Sequence, residues 1–86
     1  MLHACYPNPF NSSVTIPLEV TGPESQHVTL TIANTLVQIA YSFSQTDFTP
    51  GLHTLRWNGS DAATGLYFVT AHSHNARHIQ KILLIK

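Results

Sequence analysis

Apolar residues recur at every second position along much of this 86-residue chain, and no stretch sustains a helical period. Val14, Ile16, Leu18 and Val20 alternate with Thr15, Pro17 and Glu19, which predicts a strand with one buried face. Pro17 has no backbone N–H to donate, so this strand is expected to lie at a sheet edge or to break there. Thr21-Gly22-Pro23-Glu24 reads as a turn. Two further alternating runs follow: Val28, Leu30 and Ile32, then Val37, Ile39, Tyr41 and Phe43. Pro50-Gly51 marks a turn, because proline presets φ and glycine accepts a positive one. His53, Leu55 and Trp57 alternate with Thr54 and Arg56 before a second turn signal, Asn58-Gly59. Leu66-Tyr67-Phe68-Val69 is apolar on both faces and reads as a central strand. It gives way to a polar turn, His72-Ser73-His74-Asn75, and the last strand runs from Ile79 to Ile85.

Short strands at this spacing, with no helix-length pattern between them, predict an all-β antiparallel sandwich of about seven strands. Trp57, Phe68, Leu55, Leu30 and Ile32 are its expected core. The expected edges are the Pro17 strand and the last strand, Lys81–Lys86, with dimerisation through them as a consequence. Residues 1–5 read as a linker remnant and residues 6–86 as the domain. Met1-Leu2-His3-Ala4 has neither the charged start nor the apolar stretch of a signal peptide, so an export signal is expected elsewhere in the parent protein.

Composition narrows the function. Hydrophobic residues make up 43% of the chain and charged residues only 9%, against roughly 25% charged in ordinary soluble domains. Thr, Ser, Asn, Gln and His must therefore cover the surface. The four cations, Arg56, Arg77, Lys81 and Lys86, balance four carboxylates and are scattered, which excludes a phosphate-tracking, nucleic-acid-binding surface. Cys5 stands alone, so no internal disulfide forms. Glu19, Glu24, Asp47 and Asp61 share no spacing suited to acid–base chemistry, and no nucleophile elbow is present. No catalytic residue and no cofactor is expected. His72, His74 and His78 are candidate ligands for Zn²⁺ or Cu²⁺. With six histidines in the chain such spacing arises by chance, and a structural site normally takes four ligands, so a solvated hairpin end is the preferred reading.

Six segments in order carry a resemblance. Tyr6-Pro7-Asn8-Pro9-Phe10-Asn11 opens the series, followed by the Thr15–Leu18 strand and the Asn34–Gln38 turn. Gly51, His53, Trp57, Asn58 and Gly59 form a Gly-x-His-x-x-x-Trp-Asn-Gly stretch, and Thr64-Gly65-Leu66-Tyr67-Phe68 precedes the tail Lys81-Ile82-Leu83-Leu84-Ile85-Lys86. Nearly the whole chain resembles the type A C-terminal sorting domain of the type IX secretion system of Bacteroidetes and related bacteria. It is also similar to the immunoglobulin-like domain of flagellar hook-capping proteins, though the short Asn58–Gly65 loop favours the sorting domain. One departure stands out: Val37 occupies the position of the family's turn glycine, where a β-branched residue at positive φ is costly.

The resemblance implies an immunoglobulin-like sandwich that directs an N-terminal cargo domain across the outer membrane to the cell surface. It implies the outer-membrane secretion machinery and a sortase-like protease as partners. Recognition would fall on the tail, Lys81–Lys86, and the turn before it, the tail being a terminal strand open to strand addition. Tyr67 is expected to make a tyrosine-corner hydrogen bond. Trp57 is read as core rather than a sugar-stacking platform, and Phe10 as a plug at the end of the sandwich. The competing function is an accessory carbohydrate- or protein-binding sandwich, which a planar row of exposed aromatics would favour over buried Trp57 and Phe68.

Overall fold

The computed structural model describes residues 2–73 and 76–86 and is all-β. Six strands follow the alternating runs: β1 (Ser13–Val20), β2 (Gln26–Asn34), β3 (Ile39–Phe48), β4 (Gly51–Asn58), β5 (Gly65–Ser73) and β6 (Arg77–Leu84). β1 pairs with β4 in one sheet, and the other has the order β3-β2-β5-β6. All four strand pairings are antiparallel. β5 lies between β2 and β6, as its continuous apolar run predicts.

One hydrophobic cluster fills the space between the sheets, drawn from alternate positions of the strands: Val14, Ile16, Leu18 and Val20 from β1, Val28, Leu30 and Ile32 from β2, Tyr67, Val69 and Ala71 from β5, Ile82 and Leu84 from β6. Trp57, Leu30 and Ile32 are buried as expected, and Leu55 is half-buried against the cluster. Phe68 is not core. Its neighbours Tyr67 and Val69 take the inward positions, so Phe68 stands on the outward face, half-buried.

Six strands form where about seven were expected, and the segment before β1 forms none. It pairs with the sandwich through isolated bridges, Leu2 and Tyr6 with β1 and Phe10 with β6. Leu2 and Cys5, in the stretch read from sequence as a linker, are buried in the core.

This segment overturns the expected position of the Pro17 strand. β1 has β4 on one side and the N-terminal segment on the other. Thr15 exchanges both backbone bonds with Tyr6, at 2.7 and 3.0 Å, whereas Pro17 only accepts, from His3 N at 3.0 Å. Proline is tolerated in an inner strand because its missing N–H faces an irregular partner that does not require it. The open edges are instead β3 and β4, each paired on one side only.

Candidate functional site: the clasped C-terminal strand

β6 ends its sheet, but its outer backbone edge is occupied. Asn8 Nδ2 donates to Lys81 O at 3.0 Å, and Leu83 N donates to Asn8 Oδ1 at 3.0 Å. One carboxamide thus satisfies a carbonyl and an N–H two residues apart, in place of a neighbouring strand. Phe10 continues the pairing through its backbone: its N–H donates to Leu83 O, and Ile85 N donates to Phe10 O, both at 2.9 Å. Asn11 Nδ2 reaches Ile85 O at 3.4 Å, and further up the strand Gln80 Nε2 donates to Leu2 O at 3.3 Å. The Lys86 N–H donates to Thr64 Oγ1 at 3.2 Å, and its ammonium to Ser60 O. Both X-Pro bonds of the segment, Tyr6–Pro7 and Asn8–Pro9, are cis.

Aromatic packing anchors this clasp. Phe10, 2% exposed, lies with its ring centroid 5.9 Å from that of Trp57, and Trp57 meets Tyr67 edge-on at 5.4 Å. The Tyr67 hydroxyl donates to Ala63 O four residues upstream, so its one polar atom is satisfied although the ring is buried. Gly59 packs closely here: a Cβ would sit 3.3 Å from the Trp57 ring and 3.4 Å from Leu84, so a side chain would press on both. Four of the six sequence segments, far apart in the chain, thus converge on the end of the sandwich that holds the tail.

The family profile of secretion system C-terminal sorting domains matches residues 4–86. The chain belongs to this family. Comparison with curated proteins finds no match. Membership marks the chain as a C-terminal sorting signal for type IX secretion, which works with that secretion machinery on an attached cargo and implies export to the cell surface or beyond.

Another of these segments is the β2–β3 turn. Val37 belongs to this turn rather than to β3, and its φ is 62°, the left-handed region that the glycine-to-valine departure predicted to be strained. Asn34 offsets the strain. Its Oδ1 accepts from Leu36 N at 2.9 Å and Gln38 N at 3.0 Å, while its Nδ2 donates to Gln38 Oε1 at 2.8 Å. Gly51 turns the chain from β3 to β4 at φ 129°, a conformation that L side chains rarely adopt.

The candidate metal ligands separate. His72 pairs with Arg77 on the outward face of the sheet, whereas His78 pairs with the inward Ala71 and lines a groove between the sheets with Leu18, Val20 and Val28. Adjacent pairs in an antiparallel ladder point to opposite faces, so His72 and His78 cannot share an ion. His74 lies outside the described residues. Among the described residues no three His, Cys, Asp or Glu side chains gather as a metal site. Sequence reasoning missed a different grouping: His27, Thr29, His72 and Ser73 line one shallow depression, and Ser44 Oγ lies 3.0 Å from His27 Nε2. The register of the β2–β5 pairing brings these together, and the alternation of β2 alone already placed His27 and Thr29 on one face.

Cys5 is not poised for reaction. Burial pushes its thiol up to about 11, so the nucleophilic thiolate is scarce at neutral pH. Glu19 joins His3 at 2.8 Å on the β1 side, in an ion pair when the imidazole is protonated.

Proposed function

We propose that this domain is a non-catalytic sorting and anchoring module, which carries a larger secreted protein across the outer membrane and holds it for a sortase-like protease at the cell surface. The supporting observation is the match of the sorting-domain family to nearly the whole chain. Residues 6–11 and the tail, up to 75 positions apart, are hydrogen-bonded into one unit, so the opening motif supports the presentation of the tail. We assign recognition to the tail segment Lys81, Ile82, Leu83, Leu84, Ile85 and Lys86, of which Ile82 and Leu84 are buried and serve to hold the strand. The pairing of β1 with β4 opposite β2, β5 and β6, with an N-terminal segment shared between the sheets, supports an immunoglobulin-like arrangement.

The accessory binding module gains no support from the aromatic residues. Trp57 is buried, whereas Phe68, expected to be buried with it, is half-buried on the outward face; the exposed tyrosines, Tyr6 and Tyr41, belong to opposite rims of the sandwich, so they form no planar row. The test is delivery. Residues 1–86 fused behind a reporter with a periplasmic export signal should bring that reporter to the surface of a host with type IX machinery, and deletion of residues 81–86 should abolish delivery. An intact fusion that stays in the periplasm, while another sorting domain delivers the same reporter, would refute the reading.

A further inference from the structure

We propose that the outward face of the β5–β6 hairpin is the domain's docking surface, and that it docks on a protein surface offering apolar side chains beside carboxylates. This rests on the sorting reading and specifies how the tail is read. Strand addition along β6 would have to displace the clasp. That would strip Phe10 out of the core and leave Lys81 O, Leu83 N, Leu83 O and Ile85 N without their present partners. A partner strand would therefore exchange one set of backbone bonds for another while exposing a buried aromatic ring, a net loss. The tail is better read through the side chains it already presents.

Those side chains are set by the register. Leu66–Leu83, Phe68–Lys81, Thr70–Ile79 and His72–Arg77 are cross-strand pairs on the face away from the core. Ile79 is 52% exposed and Leu66 37%. Among the described residues no second layer covers them, because the β1–β4 sheet packs on the opposite face. The electrostatics are one-sided. β2, β5 and β6 contain no carboxylate; Glu19 is on β1, Glu24 in the turn after it, Asp47 near the end of β3 and Asp61 between β4 and β5. Arg77 and Lys81 form no ion pair among the described residues. Unpaired cations beside aliphatic and aromatic side chains suit a protein surface of opposite charge. A polyanion or anionic bilayer would call for a denser cluster of cations than these two.

The experiment uses the reporter fusion and the purified domain. Leu66→Thr combined with Ile79→Thr, and separately Lys81→Glu, should each lower surface display about tenfold while the thermal midpoint stays within a few degrees of the parent. Leu52→Thr, at a residue 65% exposed on the other sheet, should leave display unchanged. A photo-crosslinking residue at position 79 should couple to a secretion-system protein, with cross-linking lost in Lys81→Glu. Normal display by the Leu66/Ile79 variant, with deletion of 81–86 still abolishing display, would overturn the docking face and leave the sorting reading intact. Equal loss from Leu52→Thr would overturn it as well. Binding of the domain to phosphatidylglycerol vesicles that disappears in Arg77→Gln with Lys81→Gln, and without any protein cross-link, would replace the protein partner by a lipid surface. Failure of the unaltered fusion to reach the surface would remove both readings together.

Discussion

The two rims of the sandwich are built differently. On one, the N-terminal segment runs from β1 across to β6, plugs the core with Phe10 and bonds the backbone of the last strand. On the other, β3 and β4 present bare edges, and β3 is exposed along most of its ten residues, with only Phe43 half-buried and Phe48 buried. Its edge carries no lysine or proline, the usual guards against edge-to-edge pairing, and shows Ile39 and Tyr41. A domain this small has too little core to protect every strand. This one protects the strand that carries the tail. The edges left open to pairing are therefore β3 and β4 rather than β6 or the Pro17 strand.

The sharpest way to break this contrast is to truncate one aromatic on each rim. Phe10→Ala should cost roughly 3–5 kcal/mol in urea unfolding, and Tyr41→Ala less than about 1 kcal/mol; similar costs would show that the clasp is ornamental. Next in size is the buried thiol of the clasped rim. A folded-state pKa raised to about 11 favours the neutral thiol, so its contribution is complete below pH 9, where the unfolded thiol is also protonated. It is lost as pH rises from 9 to 11, by about 2 kcal/mol. Cys5→Ala should flatten that part of the stability profile, and an unchanged slope would place Cys5 in water. Asn8→Ala should cost about 1 kcal/mol and speed hydrogen exchange at Leu83 N, its direct donor, without affecting amides of β3. At the β2–β3 turn, on the other side of the balance, Val37→Gly should raise stability by up to about 1 kcal/mol, since relief of the left-handed strain exceeds the added chain entropy. A lower melting temperature in that variant would mean that Val37 is not strained.

Much of this architecture was readable from period-two alternation, because a strand's facing is a local property. Trp57, Leu30, Ile32 and the corner hydrogen bond of Tyr67 fall where the pattern and turn signals put them. What failed was non-local. Nothing about Met1–Cys5 alternates, so the burial of Leu2 and Cys5 depends on a neighbour, β1, that the segment itself does not announce. Pro17 misled because an edge is defined by what lies beside a strand, not by the strand. Phe68 sits in a run apolar on both faces, where alternation cannot choose the inner side. The three histidines were grouped by sequence proximity, while the hairpin register places His72 and His78 on opposite faces. Of the site, the tail and the opening motif were visible as segments. Their mutual bonding was not, because Asn8 and Lys81 are 73 positions apart.

The direction of the clasp has a mechanical consequence. Phe10 and Leu84 are paired in parallel, so the chain enters the clasp and leaves the tail at opposite ends of the same short ladder. Tension applied between an attached cargo and Lys86 slides the two segments past each other, and the bonds from Asn8 to Ile85 share the load and must yield together. Antiparallel neighbours joined by a hairpin, such as β5 and β6, would unzip one bond at a time under the same pull. The domain is thus wired in shear along the axis on which a cargo would be hauled.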